Sequence, residues 1–76
     1  MFKELVEYIV KSLVDEPEQV DITEIFDEDS LVIELRVADN DKGRVIGRGG
    51  RVINAIRTLV EPLADKENKH VTLEVI

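Results

Sequence analysis

Gly47, Gly49 and Gly50 lie within a run of basic residues, Lys42, Arg44, Arg48, Arg51 and Arg57, that contains no Asp or Glu. The run passes straight into "RVINAIRTLV", whose apolar residues recur at helical spacing. Bare backbone and positive charge where a helix begins suit the holding of a phosphate: glycine lets an oxygen approach the main-chain amides, and the helix presents its positive end there. Arg48, inside the glycine cluster, is the natural charged contact. The same residues also fit a tight helix-helix turn flanked by solvated arginines, with no ligand at all.

Several familiar glycine devices are excluded by spacing. A Walker loop ends in Gly-Lys-Ser/Thr, and no such triplet follows these glycines. A dinucleotide fingerprint would need a small residue where Val52 stands, in a fold larger than this chain can build. "DNDKG" superficially resembles a calcium loop, but its glycine comes one residue early and Gly50 occupies the place of the closing Glu. We read Asp39 or Asn40 there as a helix cap. His70, the single histidine, has no cysteine or second histidine with which to share a metal, and no nucleophile and base pair is present. The expectation is a binding protein with no catalytic residue, no cofactor and no metal.

The chain has 76 residues and a formal charge of −7, which taken alone opposes a polyanionic partner. The distribution of that charge removes the objection. The segment from Lys42 to Arg57 carries +5, leaving −12 for the rest, so one positive stripe sits on an acidic body. A domain of this size buries only about 60% of its unfolded surface and has little room for a catalytic cavity. The absence of cysteine suits a reducing compartment, and neither a signal peptide nor a membrane-length apolar run is evident, so a soluble, cytoplasmic, unprocessed protein without membrane insertion is expected.

The elements that must position the loop follow from periodicity. Phe2, Leu5, Val6, Ile9, Val10 and Leu13 predict an amphipathic helix closed before Pro17. Val20 and Ile22 begin an alternation that loses phase at Ile25 and Phe26, predicting a short or bulged edge strand. Leu31, Ile33, Leu35 and Val37 alternate cleanly, as do Val71, Leu73 and Val75. Between these two strands lie a short helix ending near Ile46 and a longer one from about Arg51 to Ala64, with a kink or early end expected at Pro62. The apolar face of the longer helix, from Val52 through Leu59 and Leu63 to Ala64, spans about 180°, more than packing on a sheet requires. One edge of it is left for a ligand or a second subunit. The order predicts an α+β fold, α-β-β-α-α-β, with a three-stranded sheet, helices on one face and a parallel crossover between the last two strands.

Val45, Ile46, Gly47, Arg48, Gly49, Gly50 and Ile53 together resemble the KH-domain hallmark "VIGxxGxxI", a module that clamps about four nucleotides of single-stranded nucleic acid. The element order resembles the bacterial, type II form of that fold. The segments "KELVEYIVKSLV", "GRVIG", "AIRTLV" and "KENKHVTLEV" resemble, in sequence order and over essentially the whole chain, the small stand-alone KH family of bacteria called KhpA. The resemblance implies a single KH domain over 1–76 that binds RNA as a global binder and chaperone. It further implies a homodimer, a larger KH partner of the KhpB/Jag type, and a connection with cell elongation and envelope homeostasis. The RNA-binding residues expected on these grounds are Lys42, Arg44, Val45, Ile46, Gly47, Arg48, Gly49, Gly50, Arg51 and Ile53, with Ile56, Val71 and Leu73 able to floor or support a groove for bases. Gly49 departs from the polar residue often found at its place in the family, and Pro62 interrupts a helix that usually continues. A rival reading makes the chain a protein-interaction adaptor that docks partners through the apolar helix, 51–64, with little RNA contact.

Overall fold

The computed structural model describes residues 2–76; Met1, the first residue of the expected domain 1–76, lies outside the described residues. The elements are α1 (Lys3–Leu13), β1 (Asp21–Phe26), β2 (Ser30–Arg36), α2 (Lys42–Ile46), α3 (Arg51–Asp65) and β3 (His70–Val75), with 3-10 turns at Pro17–Gln19, Asp39–Asp41 and Arg48–Gly50. The sheet runs β1-β2-β3: β1 and β2 form an antiparallel hairpin, and β2 and β3 are parallel, joined through the helix pair. This is the α+β arrangement expected of a KH-type fold.

Alternation decides which sheet face is covered. Ile22, Leu31, Ile33, Leu35, Val71 and Leu73 are buried against Val6 and Val10 of α1, Val45 of α2, and Ile56, Val60 and Ala64 of α3. The intervening strand residues Arg36, Thr72 and Glu74 are exposed, as is Thr23. All three helices therefore pack on one face, and the other is open.

Three details correct the expectations drawn from sequence. β1 contains no bulge: Asp21 to Phe26 pair one-to-one with Arg36 to Leu31. The phase of the alternation breaks because Glu24, at an inward position, accepts the Phe2 backbone N–H at 3.0 Å, while Ile25 and Phe26 lie at the uncovered end of the strand. Helix α3 does not stop at Pro62 but continues to Asp65, because Val60 and Ala64 on its inner face are fully buried and hold the last turn on the sheet. It ends in a Schellman arrangement: Lys69 N–H donates to the Ala64 carbonyl at 3.1 Å and Asn68 N–H to that of Asp65 at 3.0 Å, with Asn68 left-handed at φ 59°. Finally, Asp39 and Asn40 do not cap α2 with their side chains. They sit in the preceding 3-10 turn, and Asp41 occupies the cap position without a side-chain bond to its own helix.

Candidate nucleic-acid interface

The loop between α2 and α3 is built by three glycines with positive φ, each for a different reason. Gly47 adopts φ 76°, ψ 170°, a region closed to residues with a side chain. A Cβ there would meet Val52 Cγ2 at 2.5 Å and Val52 N at 2.8 Å, so the first turn of α3 already fills that space. Gly47 is thus the pivot that lets α3 fold back on α2, with the Cβ side of its Cα taken up by Val52. Gly49, at φ 63°, has nothing within 4 Å of a would-be Cβ and faces open space. Gly50, left-handed at φ 81°, ends the turn with its would-be Cβ 3.5 Å from Asn54 Nδ2. Backbone bonds from Gly47 N–H to the Gly43 carbonyl at 2.8 Å and from Gly50 N–H to the Gly47 carbonyl at 3.1 Å hold the corner in shape.

No side chain caps the first turn of α3. The positive end of its dipole points at the same corner, where it favours an anion, although its first amide, Arg51 N–H, already donates to the Arg48 carbonyl. Arg48 and Arg51 flank the corner, both exposed, and beyond that backbone bond neither guanidinium forms an ion pair or hydrogen bond among the described residues. Arg57 is half-buried and donates to Asn54 Oδ1 at 3.1 Å.

The other two cations of the stripe are engaged elsewhere. Lys42 Nζ lies 3.3 Å from Asp39 Oδ1, and Arg44 Nη2 lies 3.3 Å from Asp15 Oδ2. The positive stripe read from the sequence is therefore narrower in space than in the chain. Its charge outside ion pairs is left to Arg48, Arg51 and Arg57, of which Arg57 is bonded to the neutral Asn54 and only Arg48 and Arg51 flank the corner.

The apolar residues also divide. Val45 is 0% exposed and lies in the core, so it supports the loop from beneath and presents no surface of its own. Ile56, Val71 and Leu73 are likewise core. Ile46 is exposed at the end of α2, and Ile53, half-buried, packs against the core one turn into α3, so these two are the apolar residues that border the corner at the surface.

Two features carry little or no trace in the sequence. Asp41 is a fully buried carboxylate, bonded to the chain after α1 and 3.9 Å from Arg44 Nε. Its only local signal is the i, i+3 spacing to Arg44. Asp15 carries no signal, because it meets Arg44 across 29 positions of sequence. Among the described residues, no group of three or more His, Asp or Glu side chains is placed to hold a metal ion, and no helix is long and apolar enough to cross a membrane.

A family model described as KhpA/KhpB, KH domain, matches residues 3–75. The chain is 54% identical over 74 residues to "RNA-binding protein KhpA" of Clostridium perfringens, covering 97% of this chain and 99% of that one. It is 50% identical over 74 residues to the protein of the same name from Clostridium acetobutylicum, with the same coverage. To that of Caldanaerobacter subterraneus it is 52% identical over 73 residues, covering 96% of this chain and 97% of the relative. No solved structure was found to match.

Proposed function

The chain belongs to the KhpA/KhpB family of KH domains, a family of binding modules and not of enzymes, and from that premise we propose that it is a single-stranded RNA-binding protein that clamps sugar-phosphate at Gly47–Gly50. The observation that carries this reading is the corner at Gly49: open space beside a glycine, a helix N-terminus with no side-chain cap behind it and an arginine with an unpaired guanidinium on each side. A phosphate seated there would receive backbone N–H donors together with Arg48 and Arg51, while Ile46 and Ile53 offer apolar contact to the adjoining bases. Three aromatic residues in the whole chain leave little for base stacking, so recognition rests on backbone shape and base edges and its sequence preference is modest. The names of the relatives support RNA as the ligand.

The finer roles proposed here are those that the resemblance implies. The whole chain, 1–76, acts as one KH domain in the cytoplasm, as a homodimer or with a KhpB/Jag-type partner. There it serves as an RNA chaperone in post-transcriptional control linked to cell elongation and envelope homeostasis. Leu59 and Leu63, 58% and 40% exposed on the outer edge of α3, favour that helix as the contact surface, and they equally support the adaptor reading.

The test is titration of a short labelled RNA with the native protein and with the double variant Arg48→Asp, Gly49→Asp. Both positions are exposed and Asp tolerates a left-handed backbone better than most residues, so the variant keeps its fold. RNA binding should be lost while sedimentation of the protein alone is unchanged. Equal RNA binding by both proteins would leave the adaptor reading standing.

A further inference from the structure

We propose that Asp41 is the positioning residue of the glycine loop: its buried carboxylate sets the orientation in which α2, and with it Gly47–Gly50, is held against the end of α1. For its consequence on RNA this rests on the function proposed above, whereas the positioning itself is measurable on the free protein.

Helix α2 has five residues, well below the length at which a helix holds itself together in water. Its orientation must therefore come from outside. Val45 anchors it in the core, but apolar burial is non-directional and leaves rotation about the anchor open. Asp41, immediately before the helix, supplies direction. Its Oδ1 accepts the Asp15 N–H and its Oδ2 the Glu16 N–H, each at 3.0 Å, from residues 26 and 25 positions earlier in the chain. Two donors on consecutive residues, one to each oxygen, fix an angle as well as a distance.

Arg44 lies across the same joint. Its Nε is 3.9 Å from Asp41 Oδ1 and its Nη2 3.3 Å from Asp15 Oδ2. The carboxylate of Asp41 is itself 0% exposed, so no water can replace a lost partner without the joint opening. The five residues of α2 carry the chain from there to Ile46, and Gly47 then turns it toward α3. A rocking of α2 at Asp41 is transmitted to the corner where Arg48, Arg51 and the α3 amides converge. Arg44 is on this account a structural arginine, holding the joint instead of a phosphate.

The experiment compares amide NMR spectra and oligouridine affinity of the native chain with Asp41→Asn, which turns an acceptor oxygen into a donor facing an N–H. Asp15→Pro deletes one of the two donors and leaves Asp41 intact; Val14, at ψ 160°, already has the backbone a following proline favours. Asp15→Ala controls for the lost Asp15–Arg44 pair. The amide resonances of Gly47, Gly49 and Gly50 should move in Asp41→Asn and in Asp15→Pro but hardly in Asp15→Ala, with those of Ile33 and Leu73 in place. The dissociation constant for oligouridine should rise about tenfold in the first two variants, the scale of a lost buried hydrogen bond. If Asp41→Asn does not fold, Asp15→Pro decides. Glycine resonances unmoved in the folded variants would overturn the proposal, as would resonances moved evenly over the whole sheet, or moved at the glycines with affinity unchanged. Should the native protein bind no RNA through its loop, the functional reading fails and the glycine resonances alone judge Asp41.

Discussion

Val52 occupies the volume that a side chain on Gly47 would need: its Cγ2 stands 2.5 Å from the Cβ position and its backbone nitrogen 2.8 Å. The close approach of α2 and α3 thus depends on a missing side chain, and the open corner at Gly49 is a by-product of that packing. Gly47→Ala should cost about 3 kcal/mol or more, from backbone strain and steric overlap together. Gly49→Ala, with open space around it, should cost only the left-handed penalty of about 1 kcal/mol. Thermal unfolding measures both, at roughly 4–8 °C per kcal/mol for a domain of this size. Equal losses would mean that Val52 does not constrain the turn.

The division of the basic residues into free and paired has a salt signature. If about three phosphates are neutralised, log affinity for single-stranded RNA falls with log salt at a slope of about −2, and a fourfold rise in salt weakens binding roughly 16-fold. Arg48→Ala and Arg51→Ala should each flatten that slope by about 0.7. Lys42→Ala should change it less, since Lys42 already faces Asp39 at 3.3 Å. A flattening by Lys42→Ala equal to that of Arg48→Ala would show that the Asp39 pair yields to phosphate.

Helix α3 carries Pro62 in its interior, leaving the turn without one backbone donor. Proline in the middle of a helix is about 3 kcal/mol worse than alanine, and near the last turn the penalty is smaller. Pro62→Ala should accordingly stabilise the fold by about 1–2 kcal/mol, read as a higher midpoint in thermal or urea unfolding. A lowered midpoint would mean that the proline ring itself is needed at that surface.

Asn68 closes α3 at φ 59°, the left-handed position of the Schellman turn. Asn68→Gly should leave stability unchanged or slightly higher, whereas Asn68→Ala should lower it by about 1 kcal/mol. Urea denaturation of the two variants side by side checks the order; alanine as stable as glycine would contradict it.

What is local in this fold is legible in its sequence. The alternation of β2 and β3, the 3.6-residue stripe of α1 and the glycine turn each lie within a few residues of chain, and each appears where the pattern puts it. The surplus apolar face of α3 is also legible, and Leu59 and Leu63 are exposed on it. What is not legible depends on distant partners. Glu24 looks like a break in a strand until Phe2, 22 residues away, donates to it. Arg44 shows no sign of its ion-pair partner Asp15, 29 residues earlier and 3.3 Å away. Val45 fits the surface motif by spacing, yet its place on the inner side of α2 buries it completely.

The claim that single-stranded RNA seats at the open glycine corner is tested most directly by mapping amide NMR shifts of the native chain as a short oligoribonucleotide is added. The largest shifts should fall on Arg48, Gly49, Gly50, Arg51 and Ile53, with those of Thr23, Thr72 and Glu74 on the open sheet face unchanged. Shifts centred on that sheet face, or on Leu59 and Leu63 with the glycines unmoved, would contradict it.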